Sequence, residues 1–172
     1  MKQPITAMFV CVLLTLISTV SHARSLQCPT FTHEQDILIR KAHAIGGTYD
    51  LGYTLAAITW KESIVGKYII RINPTDGSLG SYGVSHVLLT TAMELVGETN
   101  RWRARSVLAP RLIQDDVFAL KTSLKRLLSH QNLGWRTMIR KYNGRGPKAE
   151  AYMRDVVRRV GILQTCLDRR WG

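Results

Sequence analysis

The sequence predicts an α+β domain, mainly α-helical, with one small β-hairpin, and three observations carry that expectation. Apolar residues recur at intervals of three and four in several separate stretches, the spacing of a helix face. One stretch, 67–85, turns instead to β-branched residues around Asn73-Pro74-Thr75-Asp76-Gly77, where a Pro and an Asp-Gly step mark a turn between short strands. No repeat, low-complexity tract or linker divides residues 24–172, so a single domain with a sizeable core is expected there.

Before that domain comes a leader. Lys2 precedes an apolar run from Ala7 to Val20, broken only by Thr15, Ser18 and Thr19, and Ser21-His22-Ala23 then offers small residues for cleavage. Residues 1–23 read as a signal peptide, with retention as an N-terminal anchor the alternative. The expected location is the periplasm, the cell envelope or the medium.

A first helix is predicted over about 32–45, with Thr32 as N-cap, Gln35 at the capping-box position and Gly46-Gly47 as its stop. A second lies within 50–67, where Leu51, Leu55, Ile58, Glu62 and Val65 share one face. After the hairpin, whose return strand holds Gly80 and Gly83, a helix over 87–96 is stopped by Gly97. Val117, Leu120, Leu124 and Leu127 stripe a long helix over about 112–130, and a short one covers 136–142. The last starts at Pro147, carries Ala149, Met153, Val156 and Val160 on one face, and is expected to stop at Gly161.

Glu62 is the residue that points to chemistry, because the second helix places it on an otherwise apolar face. A carboxylate set against hydrocarbon loses hydration, which disfavours the ionised form and lets it hold a proton for a substrate. That is the role of a general acid; an inward Glu neutralised by Lys or Arg is the competing explanation.

Three segments extend the case. Trp60-Lys61-Glu62-Ser63, then Gly80-Ser81-Tyr82-Gly83-Val84-Ser85-His86-Val87, then Lys141-Tyr142-Asn143-Gly144 with Tyr152 downstream resemble the Glu-Ser, Gly-x-x-Gly and Tyr-Asn-Gly motifs of lytic transglycosylases related to goose-type lysozyme. His86 stands where that family has Gln, and Val84 and Ser85 replace its usual apolar pair. The resemblance implies a lysozyme-like fold with the hairpin beside a catalytic cleft. Glu62 would be its acid, with substrate contacts from Ser63, Gly80, Tyr82, Gly83, Val84, His86, Tyr142, Asn143 and Tyr152.

It also implies the glycan of peptidoglycan as substrate, cut between N-acetylmuramic acid and N-acetylglucosamine to leave a 1,6-anhydromuramyl end. Wall remodelling or phage-type lysis would use such an enzyme. Ordinary glycosidases need two carboxylates; Asp76 is the second candidate here, and a hydrolytic lysozyme is the alternative it would support. A noncatalytic wall-binding module on the same fold is the alternative of another class.

Cys11 falls in the leader, leaving Cys28 and Cys166, a pair that an oxidising compartment would join, with two separate thiols the alternative. Lys and Arg number 24 against 12 Asp and Glu, a formal net charge of +12. Without the leader, whose one charged residue is Lys2, the exported domain keeps +11; it meets wall glycan, anionic envelope polymers or a membrane surface, and nucleic acid is not expected. Trp102, between Arg101 and Arg103, could stack on a sugar or base or anchor its loop as a half-buried residue. The histidines, at 22, 33, 43, 86 and 130, lack metal-ligand spacing, so neither metal nor cofactor is expected. Nothing in the chain demands more than a monomer.

Overall fold

A computed structural model describes residues 28–72 and 79–171, the last four without their side chains. The signal peptide expected at 1–23 and the turn at 73–77, with Asp76, lie outside the described residues.

The first helix, α1 (His33–Gly47), opens on Thr32 with both halves of the capping box formed and buries Leu38, Ile39 and Ala42. The second, α2 (Gly52–Ser63), buries Leu55, Ala56, Ala57 and Ile58, and packs between α1 and the C-terminal helix. Its exit is strained: Ile64, Val65 and Gly66 take φ of 52, 55 and 79° in succession. Two β-branched residues in left-handed backbone each cost about 1–2 kcal/mol. Ile64 is half exposed, so Ile64→Asn, with a residue that tolerates positive φ, is expected to raise stability by about 1 kcal/mol. A higher urea midpoint at unchanged slope would show it.

Three two-residue strands follow, β1 (Ile70–Arg71), β2 (Ser81–Tyr82) and β3 (Val87–Leu88), antiparallel in the order β1-β2-β3. Ile70 pairs with Tyr82, and Tyr82 with Val87. This corrects the expected two-stranded hairpin. Gly83 and His86, at φ of 79 and 45°, close a tight turn with the His86 N–H donating to the Gly83 carbonyl at 3.0 Å. Val87 and Leu88 are thereby pulled out of the expected helix into the sheet. Helix α3 (Leu89–Val96) starts behind them and stops at Gly97, φ 72°.

Asn100 caps a helical turn, Arg101–Arg103, that runs into a π-helical turn, Ala104–Leu108. Trp102 is exposed there, so it is not a half-buried anchor. The long helix expected over 112–130 is two: α4 (Ala109–Gln114) and α5 (Asp116–Leu128). Asp115 breaks it by going extended and accepting the Phe118 N–H at 2.9 Å, the competition with helix that makes Asp a cap. After α6 (Trp135–Tyr142), helix α7 (Pro147–Trp171) runs straight through Gly161, where a stop was expected. A mid-helix Gly costs about 1 kcal/mol relative to Ala. Beyond it Leu163 and Leu167 are fully buried and Cys166 is bonded to Cys28, which offsets that cost.

The described residues thus form a mainly α-helical fold, seven helices with a small three-stranded antiparallel sheet. Among the described residues no helix is long and apolar enough to cross a membrane. Asp155 of α7 ties that helix to α2, accepting from Lys61 at 2.7 Å, and also from Arg158 at 2.7 Å and Arg159 at 3.3 Å of its own helix. Arg159 also covers the Trp60 ring. Burial works to raise the Asp155 pKa, but the hydrogen bonds from Lys61 and Arg158 and the Arg159 charge outweigh it and hold the carboxyl well below the usual range. Since the folded pKa is the lower one, the stabilisation is whole above the unfolded value and is lost as pH falls through the folded one. Asp155→Asn is expected to cost about 1 kcal/mol at neutral pH, solvent screening included. In thermal melts the variant and the parent should converge as the pH falls below about 4.

Candidate active site

Glu62 occupies the last turn of α2, and the strained exit that follows turns the chain toward the sheet. Its side chain is 11% exposed and lines a cleft of about 270 Å³. Arg71 and Ser81 of the sheet, His86 and Val87 line the near side. Thr91 of α3, Arg126 of α5, and Tyr142, Asn143 and Gly144 at the end of α6 line the rest.

Ser63 supports this wall from beneath. It is fully buried, its hydroxyl donates to the Val84 carbonyl at 2.7 Å, and it accepts the Gly66 N–H at 2.7 Å. The Glu-Ser pair therefore divides its labour: the Glu faces the cleft while the Ser clamps the end of α2 to the turn after β2. Gly83 sits in that turn because nothing larger fits. A Cβ there would stand 2.3 Å from the Leu112 carbonyl oxygen, and its φ of 79° disfavours a side chain as well. Val84 is buried beside it, and the Tyr82 hydroxyl donates back to the Leu79 carbonyl at 2.9 Å.

On the far side, the Tyr142 hydroxyl donates to the Ser85 carbonyl at 2.9 Å and shares a 3.2 Å hydrogen bond with the Ser123 hydroxyl. This links α6 to both the sheet turn and α5. Tyr152 stacks on Tyr142 with ring centroids 6.3 Å apart. Burial first, and then the nearby Glu62 charge, raise the pKa of both phenols above the ordinary value. Both phenols therefore stay neutral beside the carboxylate.

His86 closes the arrangement, with Nδ1 3.5 Å from Glu62 Oε2 and Nε2 2.7 Å from the Tyr68 carbonyl oxygen. Its own φ is 45°. Two buried polar atoms of the turn, Ser85 Oγ and His86 Nδ1, have no hydrogen-bond partner. Unsatisfied buried polar atoms and left-handed β-branched residues are both costly, and they gather at functional sites.

Of the residues singled out in the sequence, Glu62, His86, Tyr142 and Asn143 line the cleft together. Tyr152 stands behind Tyr142, while Ser63, Gly83, Val84 and Tyr82 shape the wall, and Gly80 lies between Tyr82 and the Arg71 carbonyl. Arg71, Arg126 and Ser123 were missed. Ser123 was findable, since it lies three residues after Leu120 on the buried stripe of α5, the same signal that marked Glu62. The two arginines carry no such signal among so many basic residues.

Compared with known protein families, curated proteins and solved structures, the chain matches none. What the site can do therefore rests on its own geometry: one shielded carboxylate, two cleft-lining guanidinium groups, and a hydrogen-bonded frame that holds the carboxylate in place.

Proposed function

We propose that this protein is a peptidoglycan lytic transglycosylase, exported and acting in the cell envelope, with Glu62 as its catalytic acid and base. One observation carries the reading: Glu62, 11% exposed, is the sole carboxylate among the described residues lining the cleft. A glycosidase with two carboxylates sets them at a fixed separation across the bond it cuts. A single acid suits a substrate that brings its own nucleophile, and N-acetylmuramic acid does so through its acetamido group. The motif resemblance supports the same substrate, and Arg71 and Arg126 put positive charge in the cleft, which suits a glycan with acidic substituents.

In the reaction, Glu62 protonates the glycosidic oxygen as its bond to C1 breaks, and the bonding pair leaves with that oxygen. The acetamido carbonyl oxygen then bonds to C1 and spreads the positive charge. Next the muramyl 6-hydroxyl oxygen bonds to C1, the acetamido oxygen departs, and the hydroxyl proton passes to Glu62. The acid is restored, and no water is consumed. Tyr142 and Tyr152 stay neutral beside the carboxylate and add no competing charge to the site.

Mass spectrometry of fragments released from purified peptidoglycan tests the reading. Fragments ending in anhydromuramic acid are expected. Ends heavier by one water would make the protein a hydrolase instead and direct attention to Asp76, and a folded protein that binds glycan but releases nothing would be a binding module.

A further inference from the structure

His86 is the titratable residue of the described cleft lining that this reaction leaves unused, and the positions of its protons follow from its neighbours. Nε2 lies 2.7 Å from the Tyr68 carbonyl oxygen. A carbonyl only accepts, so Nε2 carries hydrogen whether the ring is neutral or charged. Nδ1 then faces Glu62 Oε2 at 3.5 Å with side-chain exposures of only 7% and 11%, and it has no hydrogen-bond partner. In a neutral ring Nδ1 is a lone pair. Facing an ionised carboxylate, it would set acceptor against acceptor in a site shielded from water. One proton between the two groups removes that conflict, either on Nδ1 as an ion pair or on Glu62 as the neutral acid.

We infer that Glu62 and His86 form a proton-holding dyad, in which His86 is a positioning residue that keeps a proton available to Glu62. The consequence for turnover rests on the transglycosylase reading; the dyad itself does not. When Glu62 gives its proton to the glycosidic oxygen, the new carboxylate faces the bare Nδ1, and recapture of a proton from the 6-hydroxyl relieves the conflict. One proton leaves the dyad and one returns, so His86 ends each cycle as it began. The backbone is committed to this placement, since His86 holds it at a φ of 45°, which few residues other than Gly adopt. Among the described residues, the other titratable or charged groups at the dyad are Arg71 from β1, Arg126 from α5, Tyr142 from α6 and Tyr152 from α7.

Two measurements on the purified protein test this. The first is ring-nitrogen NMR of His86 against pH, in the parent and in Glu62→Gln, which needs no turnover. A neutral ring protonated on Nε2 is expected, with proton loss in the parent at least one pH unit higher than in Glu62→Gln. A ring protonated on Nδ1 alone, or equal midpoints, would overturn the dyad. The second is the pH profile of kcat/KM on soluble peptidoglycan fragments for the parent, His86→Gln and His86→Asn. The Gln amide can donate to the Tyr68 carbonyl, and Asn tolerates the positive φ. The alkaline limb is expected to move down by a unit or more in both variants, a tenfold loss at the upper end of the range. A uniform drop with an unmoved limb would reduce His86 to a structural prop and overturn the proposal. Coupled NMR titration without anhydro products would leave the dyad standing and end the transglycosylase reading; anhydro products without coupling would do the reverse.

Discussion

Glu62→Gln is expected to lower kcat for release of anhydro-ended fragments by about 10²–10⁴-fold while the protein stays folded. The amide matches the carboxyl in size but has no proton to give and no lone pair basic enough to take one. Both halves of the proposed reaction are therefore lost together. Stability should hold because the new amide N–H can donate to His86 Nδ1, 3.5 Å from Oε2 in the parent. That contact replaces a proton-dependent one with a permanent hydrogen bond, so a melting temperature equal to the parent's or slightly above it is expected. The proposed glycan binding, for which Arg71, Arg126, Tyr142 and Asn143 line the cleft, should survive. The informative measurements are fragment release by mass spectrometry and a thermal melt on the same preparation. Undiminished release from a folded variant would remove Glu62 from the chemistry.

The route to Glu62 was open in the sequence because a helix face is a strong local signal. Leu55 and Ile58 are fully buried and Leu51 and Val65 nearly so, and a carboxylate in register with them had to face the interior or a cleft. The Thr32 cap was legible for the same reason: capping chemistry is written in four consecutive residues. What failed depended on partners distant in sequence. Two-residue strands have no periodicity to detect, and β3 exists because Val87 and Leu88 meet Tyr82 and Ser81 across a turn. Asp115 looked like one polar position in a long stripe, yet its side chain competes for the Phe118 N–H and splits the helix. Gly161 looked like a stop, and the burial of Leu163 and Leu167 beyond it overrides that local preference.

The cleft shows the same division. Residues that build its frame were marked by motif or by face, but Arg71 and Arg126 arrive from a two-residue strand and from α5. Only the packing of sheet against helices brings them to Glu62. Charge count alone could not select them, since basic residues are scattered along the whole chain. At Ser63, Gly83 and Val84, where the motif implies substrate contacts, the structure shows residues that build the wall behind the cleft. A motif can mark a site either by touching the ligand or by shaping the backbone around it, and sequence does not separate the two.

Replacing both Cys28 and Cys166 by Ser is expected to lower stability by about 5 kcal/mol, from the loop entropy returned to the unfolded chain. The bridge joins residues 138 apart, with Cα atoms 5.6 Å from each other, so it closes nearly the whole of the described domain. For a domain of this size the loss should appear as a fall of roughly 10–20 °C in Tm, and a reducing agent should produce the same fall in the parent. The native structure gives the bridge a second role. It fastens the segment that sets Phe31 edge-on against Trp60, with centroids 5.6 Å apart, to the part of α7 that continues past Gly161. Hydrogen exchange separates the two contributions. If loop entropy dominates, amides throughout the core lose protection by the same amount; if anchoring dominates, Tm moves little and exchange quickens only at 28–32 and beyond Gly161. A global loss is expected, because Leu163 and Leu167 are fully buried without help from the bond itself. On that account the domain reaches its full stability only where the two thiols can oxidise, outside the reducing cytosol.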